Sequence, residues 1–156
     1  MREPLNTLVY KRTHSGDPDI SGVFGSDDCM GRVRGFDFDA VIGVGGKSPD
    51  RGHEDIAYKV NWVGLKPRVI GKGRRGPLLK FECFVRPEGA GPDLRELAPR
   101  IFRYMFEDKH VRFVLSKSLT PEMQDEAWQI LWWAKNCRSG RSGAVDKNRS
   151  TKGGCR

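Results

Sequence analysis

FDFDAVIGVGGKSPDRGHEDIAYKVNWVG, Phe36 to Gly64, is the stretch whose reading decides the fold. It reads as two strands joined by a loop. The first, Ala40 to Val44, is a compact apolar run punctuated by Gly43, Gly45 and Gly46. In the second, Ile56 to Val63, Ile56, Tyr58, Val60 and Trp62 share one face. Ala57, Lys59, Asn61 and Val63 share the other, and a period of two is the signature of a strand. Glycines ending a strand either make a turn or let another backbone, or a ligand, come close. The choice separates a core hairpin from a binding site.

Working outward, Leu8 to Thr13 forms a short opening strand, followed by the Gly-, Asp-, Ser- and Pro-rich run HSGDPDISGVFGSDDCMG. A loop of that length inside a domain points to function. After Gly64 come a basic turn, Gly71 to Gly76 (GKGRRG), and an apolar strand, Leu78 to Val85. Asp93 with Glu96 resembles a capping pair, and Leu94, Leu97, Ile101 and Met105 recur at helical spacing. Pro99 cannot sit mid-helix, so a helix starts there or follows a separate turn. His110 to Ser116 alternates as a further strand. Thr120, Pro121 and Glu122 open a last helix. Its stripe is Met123, Ala127, Ile130, Leu131 and Ala134, and its end falls near Cys137.

The fold class expected is α+β: a mixed, strongly bent sheet or open barrel with peripheral helices, one domain over residues 1–137. Residues 138–156 lack apolar periodicity and form a basic tail, expected to be disordered. The chain has 156 residues and a formal charge of +8. The tail holds six basic residues against Asp146, which leaves about +3 for the rest. A basic excess favours contact with phosphate backbones. No apolar run reaches the length of a membrane span and the N-terminus has no signal-peptide core, so a soluble, cytoplasmic protein is expected. Cys29, Cys83, Cys137 and Cys155 are far apart, with no CxxC pair, and read as free thiols.

Several motifs fail on inspection. Gly46-Lys47-Ser48 follows a strand as a P-loop does, but Val41 stands where that loop needs its first glycine. Gly43, Gly45 and Gly46 lack the spaced third glycine of a dinucleotide fingerprint. Pro92-Asp93 with Glu107 and Lys109 matches the letters of a metal-dependent nuclease, yet Asp93 reads as a helix cap. Trp128, Trp132 and Trp133 on the last helix read as packing residues. No cofactor and no metal site is expected.

The run Thr13-His14, Gly22-Val23-Phe24-Gly25, Cys29-Met30-Gly31-Arg32-Val33-Arg34, Phe38 to Lys47 and Ile56-Ala57-Tyr58 resembles a known family. It is similar to the second family of nucleotide modification associated domains of bacteria and phages, within the PUA-like superfamily that includes the EVE and ASCH domains. The resemblance covers roughly residues 8–63. The chain departs from the pattern at Ser21 to Phe24, at Met30-Gly31 and at Phe38. The resemblance implies a PUA-like pseudo-barrel that binds nucleic acid and holds a modified or flipped base in a small polar pocket. Carried over residue by residue, it implies Thr13, His14, Phe24, Cys29, Arg34, Gly45 and Lys47 as site residues. Tyr10 and Trp62 join the base pocket from the strand faces, as aromatics able to stack a base. Arg32, Arg34, Lys72, Arg74 and Arg75 would form a phosphate-binding rim. The rival expectation is a small nucleic-acid- or nucleotide-directed hydrolase that uses His14 with Asp17, Asp19 or Asp28.

Overall fold

The structure is a computed structural model, and it describes residues 6–12, 23–25, 38–45, 57–73, 77–87 and 91–137. Its strands are β1 (Thr7–Arg12), β2 (Val23–Gly25), β3 (Ala40–Gly45), β4 (Val60–Lys72), β5 (Pro77–Val85) and β6 (Phe113–Leu115). Three helices accompany them: α1 (Leu94–Leu97), α2 (Pro99–Phe102) and α3 (Pro121–Asn136). A π-helical turn, Arg103–Asp108, continues α2. No helix among the described residues is long and apolar enough to cross a membrane.

The strands form one mixed sheet in the order β2-β5-β4-β3-β1-β6. β1 runs parallel to β3, and the other pairs are antiparallel. The α+β class therefore holds. Pairing ends at β2 on one side and β6 on the other, so the described strands make an open sheet rather than a closed barrel.

Every residue of β3 is buried, which is the mark of a strand covered on both faces. One face carries Val9, Ile42, Val44, Val63 and Val85 against Leu94, Ile101 and Met105 and against Met123, Ala127, Ile130 and Ala134 of α3. The other carries Leu8, Tyr10, Val41, Trp62, Leu79 and Phe81. β5 changes sides along its length: Leu79 and Phe81 belong to the second cluster, while Cys83 and Val85 pack against the first. The switch lies opposite Lys66, whose φ of 53° breaks the regular pleat of β4. The sheet is bent at this point.

The glycines of the decisive stretch are packing devices. Gly43 lies opposite Trp62, and a β-carbon there would overlap the indole. Gly64 stands in the same relation to the ring of Phe81. Trp62 packs on Phe81 at 5.6 Å and on Phe84 at 6.2 Å between centroids. This half of the stretch is a core hairpin.

The helices follow their sequence signals. Thr120 Oγ1 accepts from the Met123 amide at 3.2 Å, and Pro121 opens α3. Asp93 caps α1, accepting from the Arg95 amide at 2.8 Å. α2 begins at Pro99, behind Ala98, which offers no capping side chain. The buried Glu126 of α3 serves instead, accepting from the amides of Arg100 at 3.1 Å and Ile101 at 2.9 Å. It also pairs with the Arg100 guanidinium at 3.3 Å.

Three expectations change. Trp132 is not a packing residue: it is 64 % exposed, whereas Trp128 and Trp133 pack at the rim of the core. Cys83 is disulfide-bonded rather than a thiol, while Cys137 keeps its thiol. β4 starts at Val60 rather than Ile56 and runs on through Gly64 and Pro67 to Lys72. Pro67 lies beyond Leu65, the last residue of β4 that pairs with β3.

Candidate nucleic-acid interface

Two places on the described surface gather cations, and they lie at opposite ends of β4. The first is where β1 and β3 finish side by side, with Arg12 in register with Gly45. Because these strands are parallel, their carboxyl ends lie side by side at this edge of the sheet. Gly45, one of the expected site residues, lies here by its backbone. Its amide donates to the Lys59 carbonyl at 2.9 Å, and its carbonyl accepts from the Tyr58 amide at 2.9 Å.

Tyr58 is held in the left-handed region at φ 63°, a conformation that costs a bulky residue roughly 1–3 kcal/mol. Two bonds enforce it, the one to Gly45 and one from the Leu94 amide to the Tyr58 carbonyl at 2.7 Å. The ring so placed meets the edges of Phe102 at 5.5 Å and Phe106 at 5.1 Å. The Arg95 guanidinium lies 4.8 Å from the Tyr58 centroid and forks onto Asp93, at 2.9 Å from Nε and 2.6 Å from Nη2. That hydrogen bonding holds the Asp93 carboxyl below the usual carboxylate range. Lys59 Nζ stands 3.8 Å from the same carboxylate.

Lys11 completes this end. Its ammonium lies 4.3 Å from the Phe106 centroid and donates to the Met105 carbonyl in the π-helical turn at 3.2 Å. Burial, and then the neighbouring Arg112, lower its pKa. π-helical turns often mark functional positions. The strand end thus offers Lys11, Lys59, Arg95 and Arg112 beside three aromatic rings, with Asp93 and Glu96 as neighbouring acids.

The second place is the far half of the β4–β5 hairpin. Residues 66–82 hold six basic residues and one acid, Glu82. Lys66, Arg68 and Lys72 are exposed, and so are the aliphatic Val69 at 52 % and Ile70 at 43 %. Arg68 stands directly opposite Lys80 in the antiparallel ladder. Like charges in that relation repel, with β-carbons about 5 Å apart, and cost up to about 1 kcal/mol. Beyond Leu65 no described strand pairs with the outer edge of β4.

The expected site residues divide accordingly. Tyr10 and Trp62 are removed from the base pocket: they are 0 % and 2 % exposed and belong to the second core cluster, so neither ring is open to a base. Both faces of the sheet are buried where these two residues lie, which alternation within a strand cannot show. Lys72 is exposed as a phosphate contact requires, but it does not rim Gly45. Lys72 pairs with Pro77 at the end of β4 opposite to Val60, the end that lies beside Gly45. Phe24 is described by its backbone, which pairs with Leu79 of β5. Thr13, His14, Cys29, Arg32, Arg34, Lys47, Arg74 and Arg75, and with them Asp17, Asp19 and Asp28, lie outside the described residues. Asp93 is the cap that its context indicated and pairs with Arg95 and Lys59 as well, with Glu107 and Lys109 exposed at the end of the π-helical turn.

Sequence reading missed Lys11, Tyr58, Arg95, Phe102 and Phe106 as a group, and Lys66, Arg68, Val69, Ile70 and Lys80 on the hairpin. The density of bases between residues 66 and 80 was a usable signal for the second set. Nothing in one sequence joins Tyr58 to Arg95. Compared with known proteins, the chain matches no protein family, no curated protein and no solved structure.

Proposed function

We propose that this protein is a nucleic-acid-binding module whose phosphate contacts run along the distal β4–β5 hairpin. The observation that carries this reading is the register pair Arg68 and Lys80. Two cations placed opposite one another weaken the free sheet, and a bound phosphate between them turns that repulsion into attraction. Local conflict that the fold does not need is a mark of function. Lys66 and Lys72 extend the same positive edge.

The finer reading, a modified or flipped base, belongs to the other end of β4. The resemblance gathers its pocket residues around Gly45, and the partly exposed rings of Tyr58 and Phe106 beside Lys11 and Arg95 suit a planar, electron-rich ligand. A base held there would lie well away from the hairpin, so the two ends would engage separate parts of a long ligand.

Binding of the full chain to a labelled 20-nucleotide duplex, titrated with salt, tests the reading. Arg68→Gln and Lys80→Gln should each lower the slope of log K against log salt by about 0.9. No binding at low salt, or an unchanged slope in both variants, would refute the assignment of phosphate contacts to this pair.

A further inference from the structure

The distal edge of β4 narrows the kind of nucleic acid. Resting on the reading above, the geometry points to duplex DNA, entered edge-on through the major groove by residues 66–72, with Val69 and Ile70 against the base edges. Three observations carry this.

The first is shape. Beyond Lys66, whose amide donates to the Asp39 carbonyl at 2.9 Å, residues 68–72 are all exposed and no described strand pairs with them on the outer side, so this edge can lead into a groove. A sheet with its side chains is about 10 Å thick, and the major groove of B-form DNA is about 12 Å wide and about 8.5 Å deep. That depth takes β4 and reaches the line of β5. The major groove of an RNA duplex is too narrow for the same insertion.

The second is the chemistry at the edge. Val69 and Ile70 are consecutive and exposed, flanked by Arg68 and Lys72. An aliphatic side chain suits the thymine methyl on the groove floor, while the flanking cations reach the phosphates on either wall. Single strands are held by aromatic platforms, and the exposed half of this hairpin offers none: Phe81, on its inner part, is buried, as are Tyr10 and Trp62.

The third disposes of self-pairing. An exposed apolar edge invites a second copy of the chain, but this edge is lined with like charges. Lys66, Arg68 and Lys72 would face the same charges on a partner. The edge is guarded against a strand and open to a polyanion.

Fluorescence anisotropy with the full chain and three probes of one sequence tests the inference: a 20-base-pair DNA duplex, the DNA single strand and the RNA duplex. At near-physiological salt the DNA duplex should bind at least about tenfold more tightly than either other probe. The double variant Val69→Ser/Ile70→Ser should lose about tenfold for the DNA duplex while keeping the salt slope, since it removes no charge. Both positions are exposed, and a thermal melt close to that of the unaltered protein confirms that the variant folds. Equal or tighter binding of the single strand or the RNA duplex would overturn the groove inference while leaving nucleic-acid binding intact. So would a double variant with unchanged DNA affinity. Failure of all three probes at low salt would remove the underlying reading as well.

Discussion

Replacing Gly43 by alanine should damage the fold and not a binding site. The added methyl would fall within the Trp62 indole, and that ring has nowhere to go. Trp62 is 2 % exposed and braced by Phe81 and Phe84 at 5.6 and 6.2 Å. Phe81 is in turn seated on Gly64, where a β-carbon would also collide. Overpacking a tight core costs about 1–3 kcal/mol, and the absence of an escape route puts Gly43→Ala near the upper end. Restricting the unfolded chain returns about 0.4–1 kcal/mol, which leaves a net loss of about 2 kcal/mol. For a domain of this size that is a fall of roughly 4–8 °C in Tm. Urea denaturation of Gly43→Ala, Trp62→Phe and the double variant measures the coupling. The smaller ring makes room for the methyl, so the double variant should be more stable than the sum of the single effects by about 1 kcal/mol. A Gly43→Ala protein within about 0.5 kcal/mol of the parent, or strictly additive effects, would refute the packing role. Loss of nucleic-acid affinity with unchanged stability would restore the alternative, a glycine kept bare for a ligand.

Glu126→Ala should cost about 2–4 kcal/mol, because two amides of α2 lose their buried acceptor, and Glu126→Gln should cost less; chemical denaturation separates them. Asp93→Asn should cost up to about 1 kcal/mol at neutral pH, because the amide still caps α1 but loses the charge that pairs with Arg95 and Lys59. Asp93 has a depressed folded-state pKa, so its contribution is complete above the unfolded value of about 4 and disappears as pH falls through the folded value. The stability profile of Asp93→Asn should therefore converge on that of the parent protein in acid, and a constant gap between them would contradict the assignment. Arg68→Gln should raise stability by up to about 1 kcal/mol in low salt while weakening nucleic-acid binding, since it relieves the repulsion with Lys80; a thermal melt at two salt concentrations checks this.

Much of the scaffold was legible because local chemistry and tertiary context agree. Thr120 and Pro121 mark the start of α3, Asp93 caps α1, and Pro99 opens α2. The far half of β4 was hidden because Gly64 and Pro67 usually punctuate strands. Here one makes room for Phe81 and the other sits where β3 no longer pairs. Tyr58 was read as a strand residue by its spacing from Val60 and Trp62. Its backbone is instead turned to φ 63° by bonds to Gly45 and Leu94, one of them more than thirty residues away. Tyr10 and Trp62 were misplaced for a different reason. Alternation shows which residues share a face, but not whether that face is covered, and around Tyr10 and Trp62 both faces are buried. The basic hairpin tip was read from charge alone. The opposition of Arg68 and Lys80 needed the ladder register.

The central claim is that nucleic acid is held along the outer edge of β4. Amide chemical-shift mapping of the full chain, titrated with the DNA duplex at low salt, tests it most directly. The expected result is a continuous set of shifted amides at residues 66–72 and 78–82, with α3 unmoved. Shifts confined to α3, or none at saturating duplex, would contradict it.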